Sequence, residues 1–102
     1  MSQRRIELQT ILENLLGSEN VYFQPPENLK MKYDCIRYSL SRIRPSFANN
    51  HPYILQDCYQ VIAIYKNPDS DLPHKIASLP MCSHDRHYTA DNLNHDVFTL
   101  YY

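Results

Sequence analysis

The residues best equipped for chemistry crowd into one stretch, Cys82-Ser83-His84-Asp85-Arg86-His87, followed by Asp91, His95 and Asp96. Thiolate and imidazole are the ligand types of a tetrahedral zinc site. Cys82 and His84 share one face of an alternating strand, and His95 would arrive from a paired strand, whereas the same alternation sends His87 to the opposite face. The C-x-H-x-x-H spacing is none of the usual finger or ribbon spacings. The same stretch permits a nuclease arrangement, with His84 or His87 as base and Asp91, Asn94 and His95 around a divalent ion. That chemistry needs a phosphate-binding surface, and the 102-residue chain carries a formal charge of −1. Cys82 as a nucleophile beside His84 or His87 needs an electropositive, accessible setting. The plainer reading is a half-buried hairpin with polar residues toward water: no catalytic residue, no metal, no cofactor.

Composition excludes other classes. Phosphate cradles of the Walker or dinucleotide type need several glycines, because a Cβ obstructs the backbone conformations that bring N–H groups to the phosphates; Gly17 is the only glycine. Cys35, Cys58 and Cys82 are widely spaced and odd in number, which reads as buried thiols in a reducing compartment rather than a disulfide framework. With 43% hydrophobic and 21% charged residues, the composition is that of an ordinary globular chain. No apolar run approaches the ~20 residues that span a bilayer, and Met1-Ser2-Gln3-Arg4-Arg5 leads into an amphipathic stretch rather than a signal-peptide core. Residues 1–45 carry seven Lys/Arg against five Asp/Glu, and residues 46–102 three against six. A polarity that weak suits head-to-tail contact between copies at least as well as nucleic-acid binding.

The elements that must position these groups follow from periodicity. Leu8, Ile11, Leu12, Leu15 and Leu16 line one face of a helix over 3–16, which Gly17 ends as a left-handed residue. Asn20 to Gln24 predicts a short edge strand, stopped by Pro25-Pro26. Residues 33–43 alternate as a second strand. Residues 53–65 form the longest strand, apolar on both faces from 61 to 65 and therefore central. Arg44 to Pro52 lacks a period and reads as a long loop, mobile in the free protein. Ser70 or Asp71 caps a short helix through Leu79, with Pro73 in its first turn and Pro80 ending it. Residues 81–90 and 93–101 alternate around Asp91-Asn92, a hairpin turn without glycine. The expected fold is one α+β domain over 1–102, in the order α-β-β-β-α-β-β, with a mainly antiparallel sheet.

Nine tyrosines and three phenylalanines fit surfaces that are apolar at one end and wet at the other. The terminal Phe98-Thr99-Leu100-Tyr101-Tyr102 must dock on the core or on a neighbour, and alternation sends the last two rings to opposite faces. Arg42 and Arg44 flank the expected loop and Phe47 sits at its centre. Arg42, Arg44, Phe47, Tyr101 and Tyr102 are therefore the candidate subunit or partner interface.

Longer stretches resemble a known family. The helix ending in Leu15-Leu16-Gly17-Ser18, the Asn20-Val21-Tyr22-Phe23-Gln24-Pro25-Pro26 segment, Tyr33-Asp34-Cys35-Ile36, Asn67-Pro68-Asp69-Ser70, and the closing run from Asp85-Arg86-His87-Tyr88 through Leu93-Asn94-His95-Asp96-Val97-Phe98 are similar to tail-terminator or tail-completion proteins at the head-tail junction of long-tailed bacteriophages. The likeness covers nearly the whole chain, with Asp34 departing from the expected proline. It implies a non-enzymatic virion protein, made in the bacterial cytoplasm, that assembles as a homohexameric ring in the neck, caps the tail tube and meets the head connector. The implied partners are further copies of itself, the tail-tube protein and a head-completion or connector protein. The resemblance implies no membrane and no sequence-specific nucleic acid, although DNA would pass through the ring. A head-closure or connector protein would share these features. The alternative from another class is a small metal-dependent hydrolase or nuclease using the C-terminal His/Asp hairpin.

Overall fold

The structure, a computed structural model, describes residues 3–48 and 51–102, with side chains described for residues 4–43 and 56–102. The elements run α1 (Gln3–Leu16), β1 (Val21–Phe23), β2 (Cys35–Ala48), β3 (His51–Tyr65), α2 (Leu72–Ala77), β4 (Cys82–Ala90) and β5 (Leu93–Tyr101). This is the α+β order the sequence predicts. The strands form one sheet in the order β1-β2-β3-β5-β4, in which β1 is parallel to β2 and the other pairs are antiparallel. β1 lies at the edge and β3 at the centre, as their patterns require.

α1 buries its leucine stripe. Leu8 and Leu12 are fully enclosed, with Leu15 and Leu16 packed beside them, and burying each of the first two contributes ~1.5–3 kcal/mol. Gly17 ends the helix at φ +80, its N–H donating to the Glu13 carbonyl at 2.8 Å. An added Cβ there would meet nothing within 4 Å, so glycine is needed for its backbone freedom rather than for space. Polar groups fasten α1 to the sheet. The Tyr38 hydroxyl donates to Gln9 Oε1 and accepts from Arg5, and Gln9 Nε2 donates to the Val21 carbonyl at 3.0 Å. α2 is brief: Pro73 occupies its first turn, and the Ser70 hydroxyl accepts from the Leu72 N–H at 3.2 Å.

Both helices pack on one side of the sheet, where Leu8, Leu12, Leu72 and Ile76 meet Ile36, Tyr38, Val61, Phe98 and Leu100. Among the described residues, no helix packs on the other side. Register places Arg37, Ile62, Val97 and Arg86 in a row across β2, β3, β5 and β4 there. Cys35 and Cys58 are buried on that side, as are Ile64 and Val97.

The expected loop from Arg44 to Pro52 is instead mostly strand. β2 and β3 stay paired through Arg44↔Gln56, Pro45↔Leu55, Ser46↔Ile54, Phe47↔Pro52 and Ala48↔His51. β1 pairs only with residues 36–38 of β2, and β5 pairs with β3 only from Cys58 onward. The end of the hairpin therefore leaves the sheet as a two-stranded arm, and the Cα extents are 50 × 24 × 22 Å. Proline lacks a ladder donor and is tolerated where a strand has no outer neighbour. Pro45 and Pro52 both occupy such positions, so they broke the sequence pattern without breaking the strands. Asn49, Asn50 and the side chains of Arg44 and Phe47 lie outside the described residues, as does the expected tip of the loop.

The closing hairpin turns through Asp91 and Asn92, both left-handed at φ 54 and 62. That is the type I′ geometry favoured by the right-handed twist of paired strands, and Asp and Asn tolerate it better than other residues with a side chain.

Candidate functional site

Alternation along β5 sends Asp96, Phe98 and Leu100 to the helix side, so a carboxylate enters the core-facing row. Asp96 is 4% exposed. Three groups meet it. The Tyr65 hydroxyl, from β3, donates to Oδ2 at 2.5 Å. His84 Nε2 and His87 Nδ1, both from β4, lie 2.8 and 3.0 Å from Oδ1.

That His84 and His87 share a face corrects the strict alternation expected of this strand. β4 shifts register between His84 and Arg86. The bulge inserts one residue, Asp85, which returns His87 to the side of His84. Asp85 Oδ2 accepts from the Thr99 hydroxyl at 2.6 Å on the other side. The zinc grouping of Cys82, His84 and His95 is not assembled. His95 lies on the helix-free side, its ring stacked on Tyr88 at 4.6 Å and 9°. Nor is the nuclease grouping: Asn94 Nδ2 reaches the Tyr65 and Lys66 carbonyls at 3.4 Å, and Asp91 is in the turn.

Burial alone would raise the Asp96 pKa. The hydrogen bonds from Tyr65, His84 and His87 outweigh it and hold the carboxyl below its ordinary value. The same contact works in reverse on Tyr65, whose phenol is pushed up, first by burial and then by the carboxylate. An ionised carboxylate only accepts, so His84 Nε2 and His87 Nδ1 each donate at this contact. His84 also packs edge-on against Phe98 at 5.2 Å and 73°.

The cluster borders a cleft of about 390 Å³ lined by Tyr65, Pro73, His74, His84 and Asp96. Its polar lining is completed by the Ser70 hydroxyl. The Cys82 thiol is pushed up to about 11 by burial and by Asp85, the reverse of an activated cysteine. Among the described residues, no three His, Cys, Asp or Glu side chains are arranged to hold a metal ion. Each imidazole spends one nitrogen on the same carboxylate oxygen and Tyr65 takes the other oxygen, which makes the cluster a clasp between β4, β5 and β3. The outermost strand, β4, is exposed along nearly its whole length, so this clasp adds a side-chain tie to the core beside its backbone ladder with β5.

The expected interface residues divide between the two sides. Tyr101, on the helix-free side, accepts a hydrogen bond from the Arg42 guanidinium at 2.9 Å. Tyr102 is fastened to the helix side: its N–H donates to the Asp57 carbonyl at 2.9 Å, and its carbonyl accepts from Arg4 at 2.9 and 3.1 Å. The Arg4 guanidinium also stands 5.0 Å from the centre of the Tyr102 ring. The chain end thus docks on its own sheet and helix. The side chains of Arg44 and Phe47 lie outside the described residues. The sequence reading placed Asp96 in the polar stretch without a role, although alternation sets it on one face of β5 with Phe98 and Leu100, and it did not include Tyr65.

Comparison with family models, curated proteins and solved structures returns no match. No helix among the described residues is long and apolar enough to cross a membrane.

Proposed function

We propose that this chain is a non-enzymatic subunit of a phage virion that assembles as a ring, a homohexamer, in the neck at the head-tail junction, capping the tail tube and meeting the head connector. One observation carries the assembly part of this reading. The β2–β3 arm extends beyond every other strand of its own sheet, with both of its outer edges unpaired among the described residues. An isolated two-stranded ribbon is marginally stable in water, so an arm of this kind is best explained by a neighbour that covers it. Leu40 and Ile43 stand at its root, 39% and 54% exposed. An arm on one part of a subunit and a receiving surface elsewhere make a heterologous contact, which closes into a ring when the rotation permits.

The place in the virion rests on the resemblance of the sequence to tail-terminator and tail-completion proteins. The metal-dependent hydrolase alternative would require His84 and His87 to release Asp96, on whose Oδ1 both converge. Labelled antibody against the chain, imaged on purified phage particles, tests the reading. Label at the junction of head and tail is expected. Particles that lack the protein would overturn it.

A further inference from the structure

Where the β2–β3 arm leaves the sheet, a bulge and two side-chain ties coincide. β2 shifts register between Leu40 and Arg42, whose partners Tyr59 and Cys58 follow one another directly on β3, so Ser41 is an inserted residue. Such a bulge bends its strand and increases the local twist. β1 has already ended at Phe23, and Gln24 takes its place beside β2 in a left-handed conformation, φ 45. Its N–H donates to the Tyr38 carbonyl at 2.9 Å, and its Oε1 accepts from the Leu40 N–H at 3.1 Å.

The second tie lies on the other flank. Tyr101 is the last β5 residue paired with β3, where it stands opposite Cys58, which in turn stands opposite Arg42. The Arg42 guanidinium donates to the Tyr101 hydroxyl at 2.9 Å. It thereby links strands two spacings apart, or ~10 Å, across a row whose middle residue, Cys58, is buried. Beyond this row the arm has only its own ladder among the described residues. Its direction is therefore set at the root. From Ile43 to Ala48 the arm runs about 20 Å, so a change of about 10° at the root carries its end about 3–4 Å.

We infer that Ser41 and its neighbours form a braced joint, in which the bulge supplies the bend and the ties to Gln24 and Tyr101, one on each flank, hold the arm at one angle. A bulge without ties would bend the strand yet let the arm sweep through a range of directions. Neither tie belongs to the arm's own ladder, so each can be broken with the hairpin intact. Gln24, Arg42 and Tyr101 are thus positioning residues for the arm. The consequence for assembly rests on the ring reading given above: in a heterologous contact, the angle between the arm and the surface that receives it fixes the rotation between neighbours, and with it whether a ring closes.

Double electron–electron resonance on the free full chain reads this angle as a distance. Spin labels are placed by N14C on the exposed face of α1 and by S46C on the arm, in a C82S background. Cys35 and Cys58 are buried, and intact mass confirms that only the two introduced sites are labelled. The parent should give a single narrow distance distribution. In Q24A/Y101F the mean should move by about 3 Å or more, or the distribution should broaden by as much, as expected for an arm of this length. Q24E keeps an acceptor for the Leu40 N–H and should match the parent. R42A breaks the second tie from its other end, and it replaces Y101F in the double variant should melting curves show that Y101F does not fold. A double variant with the parent's distribution, or a parent distribution as broad as the double variant's, would overturn the joint. Because the distance is measured in the free chain, that failure would leave ring assembly standing, and a chain that forms no ring would leave the measured joint standing.

Discussion

Replacing Asp96 by asparagine keeps its shape and removes the charge that three donors share. Asparagine can accept at one oxygen, but its amide brings two further donors into a place already occupied by donors. Hydrogen bonds to a charged group contribute ~1.5–3 kcal/mol each, and leaving a buried polar group unsatisfied costs about 1–3 kcal/mol. His84 and His87 are 42% and 47% exposed and can turn to water, so their share is recovered in part. Tyr65 is 4% exposed and has no such escape. The expected destabilisation is therefore about 2–4 kcal/mol. For a domain of this length, that lowers the melting temperature by about 10–20 °C. Denaturant titration and calorimetry of D96N measure it directly. Y65F removes the same hydrogen bond from the other end, so the two changes together should cost less than their sum by at least about 1 kcal/mol. A D96N protein that melts within about 2 °C of the parent, or strict additivity with Y65F, would refute the clasp.

Two further outcomes follow from the titration behaviour. Because folding holds the Asp96 carboxyl below its ordinary 3.8, its contribution to stability is complete above that pH and is lost as pH falls through the lower folded value. The parent should therefore lose melting temperature more steeply than D96N from about pH 4 downward, and parallel curves would contradict this. With the Cys35 and Cys82 thiols both pushed up to about 11, alkylation followed by intact mass near pH 8 should be slow in the folded protein and complete after unfolding. Rapid modification of folded Cys82 would show that its thiol is activated after all.

Where the sequence pattern was strong, it matched the structure. The leucine stripe of α1 and the left-handed Asp91-Asn92 turn each follow from a local rule that tertiary packing did not override. Cys35 and Cys58 are core residues, as their apolar strands indicated. The arm was hidden because Pro45 and Pro52 signal a break everywhere except on a strand that lacks an outer neighbour, and whether a neighbour exists is a property of the whole sheet. The bulge at Asp85 was hidden for a related reason. One inserted residue reverses the alternation after it, and it moved His87 from the side first assigned to it onto Asp96. Asp96 itself was legible in part: it shares a face with Phe98 and Leu100, but only the pairing of β5 with β3 supplies Tyr65 as its partner.

The central claim is that this chain closes into an oligomer through its β2–β3 arm. Native mass spectrometry and light scattering of the full chain, mixed with tail-tube subunits of the phage to which the proposed function assigns it, test that most directly. The account predicts a closed oligomer of defined number, with a mass consistent with six copies, that caps the tube and is lost when residues 44–52 are replaced by a short turn. A chain that stays monomeric beside its tube, or assembles equally well without the arm, would contradict it.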